Sequence, residues 1–324
     1  MKSTVSRRSF LLASAALPVF LTKEGRGKVI SEYANTDRGK AVVTGAPTHQ
    51  TLLALKEAGF DGLETNAADV SPKKAAQYRK IADELGMRIH SVLRGWMQFN
   101  SSKKAKVEES VESVKTALRA ANAYGANAVL VVPCRIGGMK IPQPWEFDIE
   151  FDPKTGHLKR VTRGDDSPYE DYIQAHNHST DASREALKRL IPVAEETGVV
   201  IAIENVWNNL WVKPDIFSNF VASFNSKWVQ AYFDIGNHVK YAPSEDFVRA
   251  LGPMIAKCHV KDFKLNPDGH GGKFVDLRDG SVDFPAVMQA LDEVGYYGWM
   301  TIEGSGGLSN EEKSNRLNKI LAGK

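Results

Sequence analysis

A chain of 324 residues, 42% hydrophobic and 25% charged, has ordinary globular proportions and enough length for one large domain or two smaller ones. Its 42 Lys and Arg exceed its 39 Asp and Glu by three, but Lys2, Arg7 and Arg8 all fall in the first 22 residues, which hold no acid. The rest of the chain is neutral. That excludes the basic footprint of a nucleic-acid binder or an anionic-membrane binder and points to a small or neutral partner.

The opening MKSTVSRRSFLLASAALPVFLT joins an Arg pair to an apolar run broken by Pro18. This is the build of a signal peptide, and the run is too short to span a bilayer comfortably, so stable membrane insertion is not expected. SRRSFLL resembles a twin-arginine export signal, which implies a leader over residues 1–25 and delivery to the periplasm in folded form. The two cysteines, Cys134 and Cys258, lie in apolar runs and are expected to be buried free thiols rather than a disulfide framework.

From residue 40 onward, short β-branched runs alternate with helical stretches. AVVTG (41–45) and FDGLET (60–65) read as strands, and Ser71-Pro72 opens a helix, PKKAAQYRKIADELG. MRIHSVL (87–93) follows, then the helical KKAKVEESVESVKTALRAANAYG and the strand ANAVLVVP (126–133). Residues 134–180 form a stretch too long for an ordinary connection, expected to be a lid or insert with its own hairpin; Asp181 is expected to open the next helix, ASREALKRLIPVAEETG. VVIAIEN (199–205), VQAYFDIGN (229–237), IAKCHVKDF (255–263) and WMTIEG (299–304) complete eight strand runs. Eight strand–helix units predict parallel strands closed into a single (β/α)8 TIM barrel over residues 26–324, an open doubly wound sheet being the alternative. No G-x-G-x-x-G follows the first strand and no Walker loop is present, so a phosphate cradle is missing.

In such barrels the C-terminal strand ends carry the chemistry, and four apolar runs end in a polar residue: Glu204, Asp234, His259 and Glu303. Side chains alternate with period two, so Glu204 shares a face with Val200 and Ala202 while Ile201 and Ile203 face the helices; the same parity turns Asp234, His259 and Glu303 inward. Three carboxylates converging in one mouth repel each other, a cost that a divalent cation removes. Three oxygens and an imidazole suit Mn²⁺, Mg²⁺, Co²⁺ or Zn²⁺. Lys261 shares the parity of His259 one step further out and would reach a substrate oxygen, and Trp96, Trp145 and Trp207 offer sugar-stacking faces.

The set IAIEN, YFDIGNH, CHVKD and TIEG, with GSVDFPAVMQALDEVGYYGW before the last, resembles the xylose isomerase-like barrel superfamily of sugar isomerases and epimerases. The resemblance implies Glu204, Asp234, His259 and Glu303 as ligands of one divalent ion, commonly manganese, with Glu204 and Glu303 doubling as acid/base groups on opposite faces of the sugar. It implies proton abstraction next to a carbonyl, through an enediolate that the metal stabilises. It also places Glu64, His90 and His238 near substrate, although many of these epimerases have a substrate-touching His three residues after the Asp, whereas His238 follows Asp234 by four.

Export argues for a neutral carbohydrate rather than a sugar phosphate. Exported relatives are similar to lyases or hydratases of 3-keto-glycosides, which begin with the same proton abstraction, so that reading stands beside isomerase or epimerase. An apurinic endonuclease shares the barrel but resembles a more His-rich, DNA-facing site, and a periplasmic sugar-binding protein is the reading outside catalysis. Barrels of this kind often pair, so a homo-oligomer is expected.

Overall fold

The computed structural model describes residues 38–324; the leader expected over residues 1–25 lies outside them. The eight strand runs are all realised. In chain order the first four are β1 (Lys40–Thr44), β2 (Gly62–Thr65), β3 (Arg88–Trp96) and β4 (Ala128–Val132). A small antiparallel hairpin follows, β5 (Glu150–Phe151) and β6 (Leu158–Arg160). The barrel resumes with β7 (Val200–Glu204), β8 (Val229–Asp234) and β9 (Ile255–Val260), then a second hairpin, β10 (Asp262–Leu265) and β11 (Gly272–Val275), and closes with β12 (Met300–Ile302). Around the circumference the parallel strands run β1, β12, β9, β8, β7, β4, β3, β2 and back to β1, a closed (β/α)8 TIM barrel.

Helices alternate with the strands outside the barrel: α1 (His49–Glu57), α2 (Pro72–Glu84), α3 (Lys104–Tyr124), α4 (Glu170–Thr197), α5 (Pro214–Ala222), α6 (Ser244–Leu251), α7 (Phe284–Glu293) and α8 (Asn310–Leu321). The Ser71-Pro72 start behaves as its chemistry requires. Ser71 Oγ accepts from the Lys74 amide at 3.3 Å and Pro72, which has no N–H to satisfy, takes the first helical position.

The two cores confirm the parity argument. Ile201, Ile203, Phe233, Cys258, Val260 and Ile302 belong to the large apolar layer between strands and helices, where each fully buried Leu, Ile or Phe contributes about 2 kcal/mol. Ala128, Leu130, Val132, Ala202 and Tyr232 form a separate cluster inside the barrel, with Val200 packed against it. Side chains one step beyond this inner plug therefore project into the mouth. Cys134 and Cys258 are buried free thiols. Among the described residues, no helix is long and apolar enough to cross a membrane.

One element departs from expectation. The helix expected to open at Asp181 begins at Glu170, eleven residues earlier, with Glu170 and Asp171 in its first turn. The run AHNHST is poor in helix formers and reads as loop, but Tyr172, His176, Ser179, Thr180 and Ser183 recur at helical spacing and are all buried. Packing overrides propensity here. The irregular connection after β4 thus ends at about residue 169, and the hairpin expected within it is β5–β6.

Candidate metal centre

Glu204 and Asp234 are the last residues of β7 and β8, His259 is the fifth of the six residues in β9, and Glu303 directly follows β12. Each offers one ligand atom, and the four atoms lie within 4.8 Å of one another. His259 Nδ1 is 3.4 Å from Glu204 Oε1, 3.4 Å from Glu303 Oε2 and 3.8 Å from Asp234 Oδ2. Glu204, Asp234 and His259 are buried, and Glu303 is partly open. The four residues singled out from strand parity therefore meet at one point.

The donor set fits a divalent ion. Asp234 Oδ2 and Glu303 Oε2 are buried oxygens whose charged neighbours are Lys261 and His259, and with Glu204 Oε1 and His259 Nδ1 they make an oxygen-rich, single-imidazole group of the kind that hard and borderline cations prefer. The other Asp234 oxygen is fully engaged: Oδ1 accepts from the amides of Gly236 at 2.9 Å and Asn237 at 2.7 Å. That turn needs glycine, because a Cβ at Gly236 would come within 2.8 Å of the Lys261 carbonyl oxygen.

Lys261 stands beside the group, its Nζ 3.3 Å from Asp234 Oδ2, 3.3 Å from Asn237 Oδ1 and paired with Glu303. Burial disfavours its charge, but the carboxylates of Asp234, Glu303 and Glu204 outweigh that and hold the ammonium protonated. The two glutamates are pushed apart. Burial, with help from the Glu303 charge and against the pull of His259, raises Glu204 to about 7. Partial burial opposes the Glu303 charge as well, yet His259 and Lys261 draw it below the usual carboxylate range. Burial raises Asp234. For His259, burial opposes the charge and the Glu64 and Glu303 carboxylates override it, so its pKa rises.

Glu64, at the C-terminal half of β2, is fully buried behind the imidazole rather than in the mouth: its Oε2 is 2.6 Å from His259 Nε2. His90 lies deeper. Its Nε2 is 2.9 Å from Thr301 Oγ1 and its ring stacks on Trp299 at 4.4 Å, the residue just before β12. Burial, Lys257 and His259 all press its pKa down. His238 is buried with its Nε2 3.1 Å from the Val206 carbonyl and its ring packed against Tyr241 and Phe247. Neither His90 nor His238 is brought into the cluster.

Two asparagines that the sequence reading passed over do take part. Asn237, three residues after Asp234, donates to Glu204 Oε1 at 3.4 Å and accepts from Lys261. Asn205 ties the ends of β7 and β8 together: its Nδ2 donates to the Asp234 carbonyl at 2.8 Å and its Oδ1 accepts from the Asp234 amide at 2.6 Å. The signal was available in the IAIEN and DIGN motifs, where each Asn follows a ligand at close spacing.

An aromatic wall flanks the cluster. Trp207 donates its indole N–H to the Asn237 carbonyl, carries Lys240 Nζ 3.5 Å from its ring centroid and packs against Phe274 of β11 at 4.9 Å. Trp96, Trp145 and Phe274 are 48%, 45% and 42% exposed, and all three lie on segments at the C-terminal side of the barrel strands. Trp145, in the connection after β4, stacks on His270, in the β10–β11 turn, at 4.0 Å.

Residues 52–319 match the family model described as "Xylose isomerase-like TIM barrel". A D-tagatose 3-epimerase-like protein superposes with a TM-score of 0.66 at 19% identity, covering 88% of this chain and 97% of its own. A 3-keto-D-glucoside 4-epimerase from E. coli does so with a TM-score of 0.64 at 14% identity, covering 88% and 100%. An uncharacterised protein of Methanocaldococcus jannaschii is 29% identical over 143 residues, 42% of this chain, and the match spans 45% of that relative's length.

Proposed function

Because the chain belongs to the xylose isomerase-like TIM barrel family, we propose that it is a divalent-metal-dependent sugar isomerase or epimerase that moves a proton on the carbon next to a carbonyl. The observation that carries this reading is the convergence of one ligand atom each from Glu204, Asp234, His259 and Glu303 within 4.8 Å, three carboxylates and one imidazole at the mouth of the barrel. Neighbours in fold that include a D-tagatose 3-epimerase-like protein and a 3-keto-D-glucoside 4-epimerase are consistent with it.

A divalent ion held by these four residues, Mn²⁺ by the family resemblance, would supply Lewis-acid stabilisation of the charge that develops on the carbonyl oxygen. The remaining work falls to the chain. Glu204 and Glu303 are the two glutamates of the cluster, placed to take and return the proton, with Glu303 held beside Lys261 and His259. Asn237 orients the Glu204 carboxyl and Lys261 offers an ammonium to a substrate oxygen. Export from the twin-arginine-type start is part of the proposal, and with it a neutral rather than phosphorylated sugar.

A specific observation favours a second reading on the same site, a 3-keto-glycoside lyase or hydratase. Trp96, Trp145 and Phe274, exposed on segments at the mouth side, offer apolar faces apart from the ligand cluster that suit a substrate carrying an aglycone. Incubation of Mn²⁺-loaded protein in deuterium oxide with neutral ketoses and 3-keto-glycosides tests both. Deuterium at the carbon next to the carbonyl of an epimerised or isomerised sugar supports the first reading, and release of free aglycone the second. The absence of exchange with every sugar, metal present, would overturn both in favour of a binding protein.

A further inference from the structure

Glu64 is fully buried, yet it carries a carboxylate, and three side chains from three strands converge on it. Oε1 accepts from Ser91 Oγ of β3 at 2.8 Å. Oε2 accepts from Tyr232 Oη of β8 at 3.1 Å and meets His259 Nε2 of β9 at 2.6 Å. In the barrel, β1 and β12 stand between β2 and β9, so this contact crosses the interior and is made only when the barrel is closed.

An imidazole has two ring nitrogens, and the partner of one decides what the other can do. With Nε2 committed to the Glu64 carboxylate, Nδ1 is the nitrogen that faces Glu204, Glu303 and Asp234. Glu64 itself cannot serve as a ligand or touch substrate without giving up these bonds, because both of its oxygens are engaged on the far side of the ring.

We infer that Glu64 is a positioning residue: it accepts a hydrogen bond from the Nε2–H of His259, fixes the ring plane and tautomer, and presents Nδ1 to the metal as a fourth ligand. The inference rests on the metal-centre reading and concerns metal capture, not a contact with sugar. Partners of this kind raise the basicity of a ligating histidine and remove the cost of orienting it on binding, and their loss weakens metal affinity 10- to 100-fold in order of magnitude.

The test is calorimetric titration of chelator-stripped wild type, Glu64→Gln and Glu64→Ala with Mn²⁺, joined to NMR of zinc-loaded, ¹⁵N-histidine-labelled protein. The amide of Glu64→Gln keeps the shape and an acceptor but loses the charge, so its affinity should fall about tenfold, and that of Glu64→Ala further. In the zinc-loaded wild type the His259 proton should sit on Nε2, and in Glu64→Ala that proton should lose its protection from exchange with water. A merely structural role would lower thermal stability without changing affinity in the folded Gln variant. Wild-type affinity in Glu64→Gln with an unaltered His259 signal would overturn the inference alone; a wild type that takes up none of Mn²⁺, Mg²⁺, Co²⁺ or Zn²⁺ would overturn the metal reading and this inference with it.

Discussion

Lys261 Nζ lies 3.3 Å from Asp234 Oδ2 and also pairs with Glu303, so a single ammonium spans two of the four candidate ligands. Removing one partner of a buried charge group leaves the others uncompensated, at a cost of about 3 kcal/mol. Lys261→Met should therefore lose stability of that order in chelator, by urea denaturation, and recover most of it when Mn²⁺ is added. Equal losses with and without metal would show that Lys261 acts by packing alone.

Glu204→Gln and Glu303→Gln should each lower proton exchange at the sugar carbon by on the order of 10²–10⁴-fold at saturating metal. Metal content must be measured alongside, because both residues sit in the ligand set. Turnover close to wild type in either variant with metal retained would remove that residue from the acid/base pair.

The approach of Gly236 to the Lys261 carbonyl leaves no room for a side chain. Gly236→Ala has to move backbone, not a flexible side-chain tip, which costs about 2 kcal/mol. It should also disturb the two amide bonds to Asp234 Oδ1, so metal affinity should fall together with the denaturation midpoint. A variant with normal stability and normal affinity would contradict the packing described.

His176 is fully buried and accepts the Trp211 amide at Nε2, at 3.3 Å, which requires a neutral ring; burial lowers its pKa from 6.5 to about 3. Between those values the unfolded chain binds a proton that the folded chain does not, so stability falls as pH drops from 6.5 towards 3. At pH 5 the loss from this residue is about 2 kcal/mol. In His176→Gln the slope of unfolding free energy against pH in that window should be shallower by up to about 1.4 kcal/mol per pH unit.

The export proposal rests on Arg7 and Arg8. Changing both to Lys should keep the protein in the cytoplasmic fraction, measured by immunoblot of fractionated cells, while a normal periplasmic yield would remove the twin-arginine reading.

Much of the barrel was legible because its signals are local. Each strand is a short β-branched run with turn residues on both sides, and period-two alternation alone was enough to turn Glu204, Asp234, His259 and Glu303 to one face. What was not legible depends on distance. Glu64 reads on its own as a polar strand residue, and its contact with His259 joins positions 195 residues apart. The first turns of α4 were hidden because His176, Ser179 and Thr180 are weak helix formers whose burial only the folded chain reveals. Asn237 stands in the sequence as an ordinary turn residue, and the neighbouring His238, the more reactive type, turns its ring to fill a space beside Phe247.

The stack of Trp145 on His270 joins the segment leaving β4 to the segment leaving β9, with β7 and β8 between them in the barrel. Neither segment contributes a member of the ligand set. On the reading proposed above, the groups that would act on a bond lie at the strand ends, apart from the loops whose aromatic faces would meet a substrate. On that proposal, point changes along the two loops would alter which compound is admitted while the eight strands and their inward carboxylates stay as they are, so that specificity would drift without the chemistry being invented again.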